Sequence, residues 1–248
     1  MNVTLLILWK LQIIVNNLAE ISVVYEIKSL VSYIMNISLP SVLILAAKPK
    51  SGKSHAIKYF MHAKRKEFDY GIVFTKTKFT DAYNYVPDQF VQKEFNAKVL
   101  KKLMKIQGKL TEQGIKKNAF VIFDDCLTSE FGSQLVTDLL TQYRHYNITV
   151  ILSTQYIYKL NPVLRDCATH AFIFEQSTKR SIEAIYETFG QHFNTLNDFC
   201  EYLNKSTGNY WFLFVDIYNR KKMYSKGKVG KDIPNFKLQF NLSMESRE

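Results

Sequence analysis

The sequence predicts an α/β fold: a mostly parallel central sheet flanked by helices, with an antiparallel C-terminal addition. Short apolar runs rich in Val, Ile and Phe recur along the 248 residues, and segments of helical spacing separate them. Strands of a parallel sheet are covered on both faces, so they read as near-continuous apolar runs, with helices supplying the crossovers. A glycine-containing turn, AAKPKSGKSHAI at 46–57, joins the first run to the first helical segment.

The five runs are SVLILAA (41–47), YGIVFTK (70–76), AFVIFDD (119–125), ITVILSTQ (148–155) and HAFIFEQ (170–176). SHAIKYFMHAKRK continues from the turn as a helix, and QFVQKEFNAKVLKKLMKIQGKL has helical spacing. FGSQLVTDLLTQYRHY repeats its apolar positions at Leu135, Leu139 and Leu140, the interval that puts side chains on one helical face. TKRSIEAIYETFG and QHFNTLNDFCEYLNK form a last helical block. The alternating segments YWFLFVDIYN and NFKLQF then predict a pair of antiparallel strands at the sheet edge. The expected division is one main domain at 38–220, an N-terminal extension at 1–37, and a basic tail with an edge strand at 221–248. Met35 opens a natural start for the main domain.

Apolar residues at 47% are a globular value, and 9 Gly with 5 Pro leave no room for a long flexible linker. Lys and Arg outnumber Asp and Glu by 33 to 22, a net charge of +11, which favours a polyanionic partner through counterion release. The densest basic cluster is Arg220, Lys221, Lys222, Lys226, Lys228 and Lys231. Cys126, Cys167 and Cys200 are far apart and odd in number, so neither a disulfide framework nor a zinc site is expected. The apolar N-terminal residues are interrupted by Lys10, Asn16, Asn17 and Glu20, leaving pieces too short for a stable membrane span.

Within the turn, Ala47, Gly52, Lys53 and Ser54 satisfy A-x-x-x-x-G-K-S, a P-loop (Walker A) pattern with Ala at the first glycine position. The loop Ala47, Lys48, Pro49, Lys50, Ser51, Gly52, Lys53, Ser54 and His55 is the expected nucleotide cradle. Its backbone N–H groups and the helix N-terminus face the phosphates, Lys53 reaches the terminal ones, and the Ser54 hydroxyl joins the Mg²⁺ shell. Such a loop needs a carboxylate at a neighbouring strand end to hold Mg²⁺, and AFVIFDD supplies Asp124 in the Walker B position. Asp125 is then placed to orient or deprotonate the attacking water. Gln155 ends the next strand, where a carboxamide can hold a water and sense the terminal phosphate. Arg144 precedes that strand and so sits at the opposite sheet edge from Gln155, a position from which it reaches a neighbouring subunit rather than its own nucleotide. Arg165, in NPVLRDCATHAFIF, is the second candidate for that role.

ILAAKPKSGKS, FVIFDDC, YRHYNITVILSTQ and LNPVLRDCATHAFIF, in this order and spacing, resemble the viral DNA-packaging ATPases of the FtsK/HerA superfamily, in particular the poxvirus-type branch of large double-stranded DNA viruses. The resemblance covers about residues 38 to 220. It implies a RecA-like (ASCE) P-loop fold, ATP and Mg²⁺ as ligands, Lys53 and Ser54 as the P-loop pair, and Asp124 as the Mg²⁺ acid. It further implies Asp125 as the catalytic acid, Gln155 as the polar sensor and Arg144 as the arginine acting across a subunit boundary. Two positions depart from the family pattern: Ala47 stands for Gly, and Asp125 stands where many relatives have Glu.

The function expected from these residues is an ATP-driven motor that moves viral double-stranded DNA into a capsid. The implied partners are DNA, copies of itself in a pentameric or hexameric ring, and a viral capsid or inner-membrane protein at the packaging site. The implied location is the host cytoplasm at a viral factory, with the virion second. The alternatives are a P-loop nucleotide or nucleoside kinase, for which the sequence offers no lid-like segment, and a non-hydrolysing nucleotide-binding assembly protein.

Overall fold

A computed structural model describes residues 30–76, 81–126, 133–218, 224–229 and 233–240. Helix α1 (Leu30–Met35) precedes strand β1 (Val42–Ala46), the phosphate loop and α2 (Lys53–Ala63). There follow β2 (Tyr70–Thr75), β3 (Val91–Gln92), α3 (Ala97–Glu112), β4 (Ala119–Asp124), α4 (Gln134–Gln142) and β5 (Ile148–Thr154). The chain continues through α5 (Pro162–Asp166), β6 (His170–Phe174), α6 (Lys179–Phe189), α7 (Leu196–Ser206), β7 (Trp211–Asp216) and β8 (Tyr224–Lys228).

The eight strands form one sheet in the order β3-β2-β4-β5-β1-β6-β7-β8. The pairs from β3 to β6 are parallel, and β6–β7 and β7–β8 are antiparallel. The strand that carries the phosphate loop therefore lies between β5 and β6, with the acid-bearing β4 one strand further out. Alternation divides the core. Val42, Ile44 and Ala46 face the layer of α3 to α7, while Leu43, Leu45 and Ala47 face α1 and α2. Both faces of these strands are covered, which is why they carry no polar alternation.

Gly71 on β2 marks a close approach: a Cβ there would stand 2.4 Å from the ring of fully buried Phe120 on β4. Gly71→Ala is expected to destabilise the fold by about 1–3 kcal/mol through overpacking. The change is read as a lower urea midpoint, and an unchanged midpoint would show that Phe120 can yield.

Two expectations are corrected. The long helix does not begin at Gln89, since residues 88–90 form a 3₁₀ turn and β3 follows. Helix α3 starts at Ala97, where the Asn96 side chain accepts hydrogen bonds from the N–H groups of Lys98 and Val99, an N-cap that satisfies donors the helix itself leaves open. The partner of β7 is Tyr224–Lys228, not NFKLQF. Residues 233–240 instead form an extended strap over the α2 layer. In it the Leu238 N–H donates to the Tyr85 carbonyl, Phe236 stacks on Tyr85 and contacts His62, and Phe240 packs on Phe90.

The segment expected to be a separate extension contributes to the core where it is described. Tyr33, Ile34 and Ile37 are buried, and the Tyr33 hydroxyl donates to the Lys226 carbonyl on β8. Of the basic cluster, Arg220, Lys221, Lys222 and Lys231 lie outside the described residues. Among the described residues, no helix is long and apolar enough to cross a membrane.

Candidate active site

The C-terminal ends of β1, β4 and β5 converge on one edge of the sheet, where ligands bind in open α/β folds. The loop after β1 is pinned on both sides: the Ala47 N–H donates to the Thr154 carbonyl of β5, and the Lys48 N–H donates to the Glu175 carbonyl after β6. Ser51 Oγ closes the loop by donating to the Lys48 carbonyl at 2.7 Å. Gly52 caps α2 with φ 96°, a conformation open to glycine at little cost, and Lys50 also has positive φ, at 61°. Ala47 is not among the positive-φ residues, so its methyl group is accommodated where the strict pattern has glycine.

Lys53 is buried on the first turn of α2, and its Nζ lies 2.6 Å from Asp125 Oδ2 and 3.9 Å from Asp124 Oδ1. Asp124, only 4% exposed, accepts a 2.7 Å hydrogen bond from Ser153 Oγ on β5. Asp125 turns out of the strand with φ 51° and donates its N–H to the Ser153 carbonyl. Gln155 Nε2 donates to Asp125 Oδ2 at 3.0 Å. Lysine, both acids and the carboxamide thus meet, on three elements far apart in sequence.

Sequence reasoning missed several neighbours. Ser153, one residue before the strand end, orients Asp124. Tyr83 and Tyr85 are fully buried, and burial first, then the Asp124 carboxylate, push both phenols well above their ordinary pKa. Burial and Asp124 likewise raise the Cys126 thiol to about 12, so it is protonated and no nucleophile at neutral pH. Ser153 follows an apolar run and was detectable by its position, whereas the tyrosines lie in an irregular segment with no periodic signal.

Arg144 does not join this group. Seven residues of β5 separate it from Gln155, roughly 20 Å of strand. Its Nε donates to the Tyr143 hydroxyl at 2.8 Å, and its guanidinium lies 5.4 Å from the ring centres of both Tyr143 and Tyr218. It is exposed beside a 360 Å³ cavity that includes Thr169 and His170. Arg165 is buried instead: Nη1 donates to the Ala184 carbonyl and Nη2 lies 3.8 Å from Glu187. In this single chain its guanidinium is turned toward α6 rather than outward.

The donor set fits a nucleotide with Mg²⁺. Among the described residues no group of three or more His, Cys, Asp or Glu could hold a metal alone. Mg²⁺ held by substrate phosphates, one hydroxyl and one carboxylate needs no such group, and Asp124, with one oxygen bonded to Ser153, retains acceptor capacity for it.

The fold and this residue set define a P-loop NTPase. Residues 41–227 match the Zonular occludens toxin (Zot) family, and the chain belongs to it. In sequence it is similar to uncharacterized protein 075L of Invertebrate iridescent virus 6, with 27% identity over 71% of this chain and 70% of the relative. It is also similar to uncharacterized protein L437 of Acanthamoeba polyphaga mimivirus, with 28% identity over 73% and 68%. In fold it is similar to the genome packaging NTPase B204 of Sulfolobus turreted icosahedral virus 2, solved in complex with ATP-gammaS. That comparison gives TM-score 0.59 and 19% identity, covering 77% of this chain and 98% of that one. The expected resemblance to a viral packaging ATPase is thus borne out in fold by B204, with viral proteins as the relatives in sequence.

Proposed function

We propose that the protein hydrolyses ATP and uses the energy to move double-stranded DNA in genome packaging. The observation that carries this reading is the convergence of Lys53, Asp124, Asp125 and Gln155 at the end of the phosphate-loop strand. B204, the structural neighbour, is named as a genome packaging NTPase, and the net charge of +11 suits a nucleic-acid partner.

The geometry supports a sequence of partner exchanges. Loop N–H groups and the N-terminus of α2 receive the phosphates. Lys53 Nζ transfers from Asp125 to the terminal phosphate, so the lysine that stabilises the phosphoryl group is the one that masks the base beforehand. Asp125, still held by Gln155, accepts a proton from a water as its oxygen attacks the γ-phosphorus. The bond to the β-phosphate oxygen breaks, giving ADP and phosphate. Ser54 and Asp124 would hold Mg²⁺, which when bound neutralises charge across the terminal phosphates.

Arg144, exposed and propped between two tyrosine rings, acts on the nucleotide of an adjacent copy in a ring. A pentamer or hexamer, a capsid or inner-membrane anchor, and a viral-factory location complete the proposal. The test is ATPase rate with and without double-stranded DNA. Stimulation by DNA is expected, and turnover indifferent to DNA would sink the translocation reading. Mixing Arg144→Ala chains with Lys53→Ala chains is expected to restore part of the activity that each lacks alone. No rescue at any mixing ratio would place Arg144 outside the shared site.

A further inference from the structure

We propose that Tyr210 is the stacking platform for the nucleobase of the bound nucleotide; this rests on the ATP reading above. Strand order sets the direction. The acids and Gln155 belong to β4 and β5, on one side of the phosphate-loop strand, so the terminal phosphate lies toward that side. The nucleoside extends the other way, over the neighbours on the opposite side, β6 and the start of β7.

Tyr210, the residue before β7, stands on that side against the loop. A Cβ on Gly52 would lie 3.1 Å from Tyr210 Cδ1 and 3.9 Å from Cε1. The residue is nevertheless 52% exposed, so the ring touches the loop and still offers surface to a ligand. Its backbone is unusual. Gly208, Asn209 and Tyr210 have φ of 109°, 47° and 68° in succession, and a bulky aromatic in the left-handed region is a genuine outlier. The turn is held there by the Trp211 N–H donating to the Gly208 carbonyl and the Val229 N–H donating to the Tyr210 carbonyl. Strain of this kind persists where surrounding structure fixes it, and it collects at ligand sites. The Lys48–Glu175 ion pair, at 2.5 Å with side chains 35% and 41% exposed, lies at the same turn, where a Cβ on Gly208 would stand 3.8 Å from Glu175 Oε2, and offers polar groups for the sugar or the base edge.

Stacking accepts any base, because every base has a π face. The platform therefore serves nucleoside triphosphates as a class and does not by itself separate ATP from GTP.

The experiment measures binding of ATP and of inorganic tripolyphosphate to the full chain, as wild type, Tyr210→Ala and Tyr210→Phe. Tyr210→Ala is expected to weaken ATP about tenfold to a hundredfold and to leave tripolyphosphate unchanged, which also reports an intact loop. Tyr210→Phe is expected to bind ATP as wild type does. Equal weakening of both ligands would overturn the proposal, since the ring would then only prop Gly52, and so would unchanged ATP affinity in Tyr210→Ala. Wild type that binds tripolyphosphate no more weakly than ATP would remove the base subsite alone. Wild type that binds neither would remove the ATP reading, and the platform with it.

Discussion

Lys53→Ala is expected to lower ATP turnover at least about a hundredfold, the scale on which loss of a preorganised charge at a transferring group is felt. Lys53 is buried on the first turn of α2 and lies within 4 Å of both acids. The substitution removes the cation that would meet the terminal phosphate. It also leaves adjacent carboxylates facing the incoming phosphates without that cation between them. Both effects act in the same direction, so ATP affinity and turnover should fall together. Phosphate release measured at saturating and sub-saturating ATP separates the two, and retained hydrolysis would remove the phosphate-loop assignment. Lys53→Arg is expected to fail as well, because a bulky planar guanidinium does not replace a compact ammonium in a buried position.

Asp125→Asn should separate binding from chemistry. Asparagine tolerates the left-handed backbone that Asp125 adopts at φ 51°, so the turn after β4 survives. The carboxamide keeps an oxygen for Gln155 but is a poor base, and hydrolysis is expected to slow by about 10²- to 10⁴-fold, the usual contribution of a positioned base. ATP affinity should hold or improve, because the 2.6 Å pairing that competes with phosphate for Lys53 loses its charge. Equilibrium binding beside single-turnover hydrolysis checks both parts. Equal loss of binding and turnover would mean that the roles of Asp124 and Asp125 are reversed.

The central strands were legible because burial on both faces leaves an uninterrupted apolar run. SVLILAA, AFVIFDD and ITVILSTQ fall on β1, β4 and β5 to within a residue or two at each end. The edges were not. β3 has two residues and no run to detect, and β8 reads YSKGK, without an apolar run. NFKLQF alternates as a strand would, but its Phe236, Leu238 and Phe240 serve a strap instead, because tertiary contacts rather than local pattern decide what an alternating segment pairs with. At the site, Lys53, Asp124, Asp125 and Gln155 were visible as strand ends and a loop motif. Tyr83 and Tyr85 were not, since residues in irregular segments carry no periodicity, and Tyr210 was hidden at the head of the alternating run YWFLFVDIYN, where it reads as one more strand residue. Their relation to the site arises from the 3₁₀ turn at Asp81–Tyr83, the left-handed turn before β7 and the closing strap.

That strap bears on the order in which the molecule is completed. The phosphate loop and the strands on either side of it are all made by residue 176, and they can associate through neighbouring crossovers. Tyr85, packed near Asp124, gains its cover of Phe236 and its hydrogen bond from Leu238 only when the chain's last described segment arrives. Closing so distant a pairing is entropically the slowest kind of contact to make. The cover over Tyr85, beside Asp124, is therefore supplied by a segment about 150 residues downstream, whereas the phosphate loop is joined to its neighbouring strands by much shorter crossovers.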